Sequence, residues 1–346
     1  GVAEATASFL KLVSGRLALN DPQAASTKLP NLWVGLTHPD FTGGGSAFAR
    51  RSGNGDLVTW DHDANYYQFW AEGGEDGRFS IANVRPGTYT LHAFANGVLG
   101  EFAQTNITVE AGKPIDLGRL DWKPVRYGKQ VWDIGYPDRT GGEFFKGDGA
   151  DYWLWGWPVR YPLLFPNDIT YTIGKSDYHK DWFFEEVPHG ETTAWLNPEA
   201  KDPANQRFGW VKAGTAGQDM WRTIGHGRAT TWTIKFNMEK GATGEATLRI
   251  ALGGADGAGG LAIGVNGRTV GTLHPVATNA LRYNTDRGVW HEYAQPFDAA
   301  FLKAGENEIT LTVPAGELTT GVCYDYLRLE LEDSQPVAVA SRTSER

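Results

Sequence analysis

Apolar and polar positions alternate in short runs along most of this chain, and long stretches of helical periodicity are scarce. A period of two marks a strand with one covered face. Residues 13–19 alternate in this way. Further strand-like runs lie at 32–36, 65–70, 77–84, 89–94, 107–109 and 115–120. Pro86 and Gly87 supply turn chemistry between two of them. About seven short strands with turn signals between them is the count of a fibronectin-type or prealbumin-like β-sandwich.

The stretch Trp122-Lys-Pro124 reads as a boundary. The second unit opens with a strand at 131–134 and a long aromatic, Pro-rich region, then returns to regular strands at 231–236, 246–252, 261–265, 307–313 and 324–331. Asn266-Gly267 between strand-like flanks is a hairpin signal. The Gly-rich run 253–260 reads as a flexible hairpin loop. The expectation is an all-β chain: a leading segment 1–12, a sandwich over 13–123, a jelly-roll β-sandwich of about eight core strands over 124–333, and a disordered tail at 334–346. No internal repeat of fixed period is present.

Composition narrows the function classes. The 346 residues carry a net charge of −9 and no Lys/Arg block, which argues against nucleic acid as a partner. No run approaches the roughly 18 apolar residues of a membrane span. The single cysteine, Cys323, excludes an internal disulfide and reads as a buried small hydrophobe. The start, Gly1-Val-Ala-Glu, lacks a signal peptide and reads as a cut end.

Most catalytic motifs are missing. The eight histidines show no zinc spacing, and His179 with Asp181 falls short of a metal site. There is no Gly-x-Ser-x-Gly elbow, and the Gly-rich run 253–260 opens no helix. Two acid pairs, Glu185-Glu186 and Glu330 with Glu332, keep a glycosidase reading open, although neighbouring acids usually form a solvated face. Asp138, Arg139 and Glu143 cluster in a Gly/Pro turn, as a salt-bridge network or as part of a ligand rim.

The aromatic cluster is the richest feature. Trp153, Trp155 and Trp157 have period-two spacing that points their rings to one face; Arg160, Tyr178, His179 and Trp182 follow. Flat rings stack on the C–H faces of sugars, and cations among them pair with uronate carboxylates. Buried, the same rings would be core; exposed, they would be a sugar platform.

Several stretches resemble polysaccharide lyase family 4, the rhamnogalacturonan lyases. Ile134-Gly-Tyr-Pro-Asp-Arg-Thr-Gly-Gly-Glu-Phe144, Tyr152-Trp-Leu-Trp-Gly-Trp157, Phe165-Pro-Asn-Asp-Ile169 and Asp181-Trp-Phe-Phe184 look like its C-terminal region. Gly77-Arg-Phe-Ser-Ile81 through Leu91 resembles its middle domain, and Ala304-Gly-Glu-Asn307 with Tyr324-Asp-Tyr-Leu-Arg-Leu329 its closing strands. The resemblance implies a fibronectin type III-like domain followed by a jelly roll of carbohydrate-binding-module type. It implies that the family's catalytic lysine and histidine belong to a domain this chain does not contain, so no catalytic residue is carried over.

It also implies a monomer, secreted or extracellular with the periplasm as an alternative, that partners plant cell-wall polysaccharide (rhamnogalacturonan, pectin or a related glycan), with no nucleic-acid or membrane role. No cofactor is required by this reading. The closing motif resembles modules that carry a structural calcium, which marks Asp325 as the candidate ligand. Three readings stand: a polysaccharide-binding portion of a lyase, an enzyme active without the usual catalytic domain, and a bracing module.

Overall fold

The computed structural model describes residues 11–42, 57–63, 65–148, 161–162, 164–190, 226–256, 259–276, 289–317 and 320–332. The first unit carries β1 (Lys11–Leu19), β2 (Trp33–Thr37), β3 (Phe41–Thr42), β4 (Leu57–Val58), β5 (Phe69–Glu72), β6 (Arg78–Val84), β7 (Gly87–Phe94), β8 (Phe102–Val109) and β9 (Ile115–Trp122). The sheet β6–β1–β9 packs on the sheet β5–β2–β7–β8 around one core that includes Val13, Leu17, Val34, Leu36, Ile81 and Leu91. Each is at most 1% exposed, as alternation requires of the inner row. β1 and β9 run parallel, while every other pair in the two sheets is antiparallel.

The expected strand over 65–70 is shorter at its start than alternation implies. The Asp63 carboxylate accepts from the backbone N–H groups of Asn65 (2.8 Å) and Tyr66 (3.2 Å), which turns the chain there. Only from Phe69 does the backbone pair with β2.

The second unit carries β10 (Lys129–Gly135), β11 (Thr170–Thr172), a one-turn helix α1 (Tyr178–Asp181), β12 (Glu185–Glu186), β13 (His189–Gly190), β14 (His226–Arg228), β15 (Thr230–Met238), β16 (Glu245–Asp256), β17 (Leu261–Val265), β18 (Arg268–Leu273), β19 (His291–Asp298), β20 (Gly305–Val313), β21 (Gly316–Glu317) and β22 (Gly321–Leu331). Sheet β10–β22–β16–β19, with β12 added to β22, packs against sheet β11–β15–β20–β17–β18. The β17–β18 hairpin turns on Asn266 (φ 47°) and Gly267 (φ 78°), the paired left-handed residues that a tight two-residue hairpin needs.

The chain is thus all-β, with two successive sandwiches. Two details depart from the sequence expectation. The Gly-rich run is not all loop: β16 continues through Gly254, Ala255 and Asp256, which pair with Cys323, Val322 and Gly321. The acid pair Glu185-Glu186 is not a solvated face either. It forms β12, pairs with Cys323 and Val322, and is buried at both positions.

β22 is the centre of the second unit, and nearly every residue on it is buried. Its leucines and Tyr324 belong to the sandwich core. Its opposite row, including Tyr326, Arg328 and Glu330, would face water in a lone sandwich. Here it is covered by the first unit and by the connection between the two.

Glu186 is satisfied: the Tyr324 hydroxyl donates to it at 2.5 Å and the Val313 N–H at 3.4 Å. Glu185 has one buried oxygen with no hydrogen-bond partner. Burial alone pushes its carboxyl from 4.5 up to about 8. Its folded value lies above its unfolded one, so its contribution to stability is full below pH 4.5 and is lost as pH rises through about 8. Glu185→Gln removes that titration. Relative to wild type, the variant is expected to gain a few kcal/mol of unfolding free energy between acid and alkaline pH, as ~1.4 kcal/mol for each tenfold change in proton affinity implies. Urea unfolding at both ends of the range measures it; parallel profiles for the two proteins would refute it.

Candidate functional site at the domain junction

The two sandwiches meet across a cleft of about 410 Å³, lined from both sides. The first unit's wall starts at Gly35 on β2. A Cβ there would lie 2.4 Å from the Trp70 ring, so only glycine lets that indole lie against the sheet. Gly35 pairs with Trp70 on one side and with His92 on the other. Trp60, on a one-turn 3-10 helix, packs its ring 5.0 Å from Trp70 and 5.5 Å from His92. Its carbonyl accepts from Gln68 Nε2 at 2.6 Å. A glycine on β2 therefore sets the position of Trp70, the ring against which Trp60 of the cleft wall packs.

The second unit contributes Arg139, Arg249 and Trp290 to Glu292. Arg139 is the junction's central residue. Its guanidinium lies 4.2 Å from the Phe94 ring centroid and 4.3 Å from that of Trp290, one ring from each unit. It also donates to Glu101 at 3.1 Å. Glu101 accepts from His92 Nδ1 at 2.5 Å through its other oxygen, leaving His92 Nε2 buried without a partner. Arg139 has φ 72°, an uncommon conformation for a side-chain-bearing residue.

That conformation is held by Asp325 on β22. Asp325 Oδ1 accepts from the backbone N–H of Asp138 (3.2 Å) and of Arg139 (3.1 Å), and Oδ2 accepts from Trp290 Nε1 (2.6 Å). Burial pushes the Asp325 carboxyl well above the usual range, against the pull of the Trp290 donor.

Below the cleft, Leu99 packs with Ala251 and Tyr326 in a small apolar cluster that crosses the junction. Arg249, 1% exposed, is held by Glu292, by Glu330 (3.5 Å) and by the Val125 carbonyl. Arg126 bonds Asp21 (3.2 Å) and pairs with Glu330 (3.5 Å), tying the connecting segment to both units. The Gly97 N–H donates to Pro137 O at 2.8 Å.

The expected site residues fare differently. Trp153, Trp155, Trp157 and Arg160 lie outside the described residues. Trp182 is a correction: it is 0% exposed, edge-on to Trp232 (4.9 Å) and Tyr324 (5.4 Å). Its ring is core because Phe144, Tyr171, Trp232 and Tyr324 enclose it, and no face is left for a sugar. Tyr178 is half-buried against Phe144; His179 is exposed, with Nδ1 2.7 Å from the Glu143 carbonyl. Neither lines the cleft.

Asp325 does not fit a calcium ligand. Both its oxygens are given to N–H donors, whereas calcium takes roughly six to eight oxygen ligands. Among the described residues no group of three His, Cys, Asp or Glu is placed to hold a metal ion. Of the acid pairs, Glu185-Glu186 is in the core and Glu330 is locked among Arg126, Arg249 and Arg328. Neither pair flanks the cleft. Sequence reasoning missed Trp60, His92 and Trp290, which stand alone in the chain. The turn at Asp138 and Arg139 was the one visible signal.

Tandem sandwiches with a polar, aromatic-walled cleft at their junction define a class of two-domain β protein. This chain belongs to polysaccharide lyase family 4: the family's domain III matches residues 130–329 and its domain II residues 44–117. It is similar to "Probable rhamnogalacturonate lyase B" of Aspergillus flavus (29% identity over 78% of this chain and 43% of the relative). It is also similar to "Rhamnogalacturonate lyase" of Dickeya dadantii (30% identity over 80% of this chain and 40% of the relative). The chain spans less than half the length of these relatives. A family 35 carbohydrate-binding module from Paenibacillus barcinonensis aligns with 30% of this chain and 70% of its own at 20% identity, with a TM-score of 0.22, too low to carry an argument.

Arg139→Ala leaves Glu101 without its cation and opens the space between Phe94 and Trp290. A loss of about 2–3 kcal/mol is expected, less than for a wholly buried pair. Calorimetry should then resolve separate transitions for the two units, with Arg139→Lys recovering only part of the loss because ammonium lacks the planar stack. A single unshifted transition for the alanine variant would contradict this role.

Proposed function

We propose that this chain is the polysaccharide-binding, non-catalytic part of a rhamnogalacturonan-degrading lyase and that it engages plant cell-wall pectin outside the cell. The observation that carries the reading is the order of family domains II and III along the chain, with a cleft of ligand size built at the junction between them. The relatives, rhamnogalacturonate lyases by name, supply the polymer class. Indole rings at the cleft wall and hydrogen-bonding carboxylates between them are the groups that sugars use.

Tyr178 and His179, which do not line the cleft, are a second contact area in this proposal, together with Trp153, Trp155, Trp157 and Arg160. No helix among the described residues is long and apolar enough to cross a membrane.

Affinity electrophoresis of the purified chain in gels containing rhamnogalacturonan, homogalacturonan, xylan or glucan tests the proposal. Retardation by the rhamnogalacturonan-containing pectin is expected. Trp60→Ala should lose at least half of it if the cleft is the main site, since stacking on one ring contributes roughly 0.5–1.5 kcal/mol. Migration unchanged in every polymer would end this reading.

A further inference from the structure

We propose that the junction cleft takes neutral sugar units and turns away uronate units, so that it reads the uncharged part of a pectic polymer. This rests on the polysaccharide-binding reading above and specifies the sugar class of that same cleft.

Among the described residues, three cations line the cleft: Lys123, Arg139 and Arg249. Both guanidiniums are already spent on the protein's own carboxylates. Arg139 is paired with Glu101 at 3.1 Å, and Arg249 with Glu292 and with Glu330 at 3.5 Å. The planar two-point grip by which arginine selects a carboxylate is therefore not on offer to a ligand. Lys123, on the exposed rim, is left with a point charge. The lining sets four carboxylates, Asp40, Asp61, Glu101 and Glu292, against these three cations, an excess of one formal negative charge. Glu101 and Glu292 are the partners of the two guanidiniums, and Asp61 lies 3.6 Å from His291, which leaves Asp40 against Lys123 as the carboxylate outside these pairs. A uronate entering the cleft would find no open guanidinium and would meet the Asp40 charge.

The cleft offers hydroxyl acceptors and ring surface instead. Asp40 is exposed and carries no ion pair among the described residues. Burial raises its carboxyl pKa against the pull of the nearby His92, and Asp61 and Glu101 raise it further. A carboxylate held among like charges gains from a neutral hydroxyl donor, which relieves it without bringing in another charge. His92 is 7% exposed and lines the cleft; its Nδ1 lies against Glu101 at 2.5 Å, and its Nε2 has no partner. With Nδ1–H donating to the carboxylate, Nε2 is an acceptor for a hydroxyl. Trp60 and Trp290 are both partly exposed and supply ring surface for the C–H face of a sugar. Acceptors and rings without an unspent guanidinium are a match for an uncharged, hydroxyl-rich ligand.

Calorimetric titration of the whole chain with a neutral galactotetraose, a neutral arabinotetraose and tetragalacturonate, at low and at 0.5 M salt, tests the inference. Saturable binding of at least one neutral tetrasaccharide is expected, at least tenfold tighter than tetragalacturonate and little changed by salt. Trp60→Ala and Asp40→Asn should each weaken it at least fivefold. Asp40 is exposed, with no ion pair among the described residues, so its variant should keep the wild-type melting temperature even if loss of Trp60 disturbs the fold. Asp40→Lys should lower neutral binding and raise that of tetragalacturonate in low salt. Tighter binding of tetragalacturonate by the wild type, or neutral binding unmoved by both Trp60→Ala and Asp40→Asn, overturns the inference. Either result would leave polymer retardation in the gel intact. Loss of retardation on every polymer is the separate result that removes the binding reading itself.

Discussion

The fully buried carboxylate of Asp325 organises the junction between the two sandwiches. Burial of a carboxylate is costly unless donors surround it. Here the donors are the two backbone N–H groups that shape the turn at Asp138 and Arg139, and the indole N–H of Trp290. One strand residue thereby sets both the left-handed backbone at Arg139 and the position of the ring against it. Arg139 then reaches Glu101 and Phe94 in the other unit. The cleft wall contributed by the second unit is thus built outward from β22.

A second consequence concerns charge. Arg126, Arg249 and Arg328 gather around Glu330, with Asp21, Asp133 and Glu292 at the edge. Such a cluster is a poor source of net stability compared with apolar packing, but removing one member strands the rest. It also occupies the guanidiniums. Arg126 and Arg139 pair with carboxylates of the first unit, and Arg249 with carboxylates of its own, which leaves acceptors and aromatic surface for anything that enters the cleft. The ion pairs at the junction thereby shape what the cleft can bind.

The alternation of apolar and polar residues was enough to read two β-sandwiches and most of their strands, because side-chain period and sheet pleat are the same quantity. The Asn266-Gly267 hairpin was equally legible, since its left-handed backbone restricts which residues can sit there. Errors arose where a contact distant in sequence changed the environment of a locally ordinary pattern. Glu185 and Glu186 look like a solvated pair until β12 is laid on β22. Trp182 looks like a sugar platform until Trp232 and Tyr324, some 50 and 142 positions away in the chain, close around it.

By itself, the sequence determined the fold class, the two units, and the family that its motifs resemble. These depend on local spacing and on short strings of residues. Only the tertiary structure decided which aromatic rings are core and which line a cleft. It alone showed that the outer row of β22 is buried by a neighbouring domain, and that Trp60, His92, Arg139 and Trp290 share one wall-to-wall space. A site made of single residues from four separate segments leaves no local pattern. It exists through the packing of one sandwich against the other, and that packing is fixed by burial and hydrogen bonding at Asp325 and Arg139.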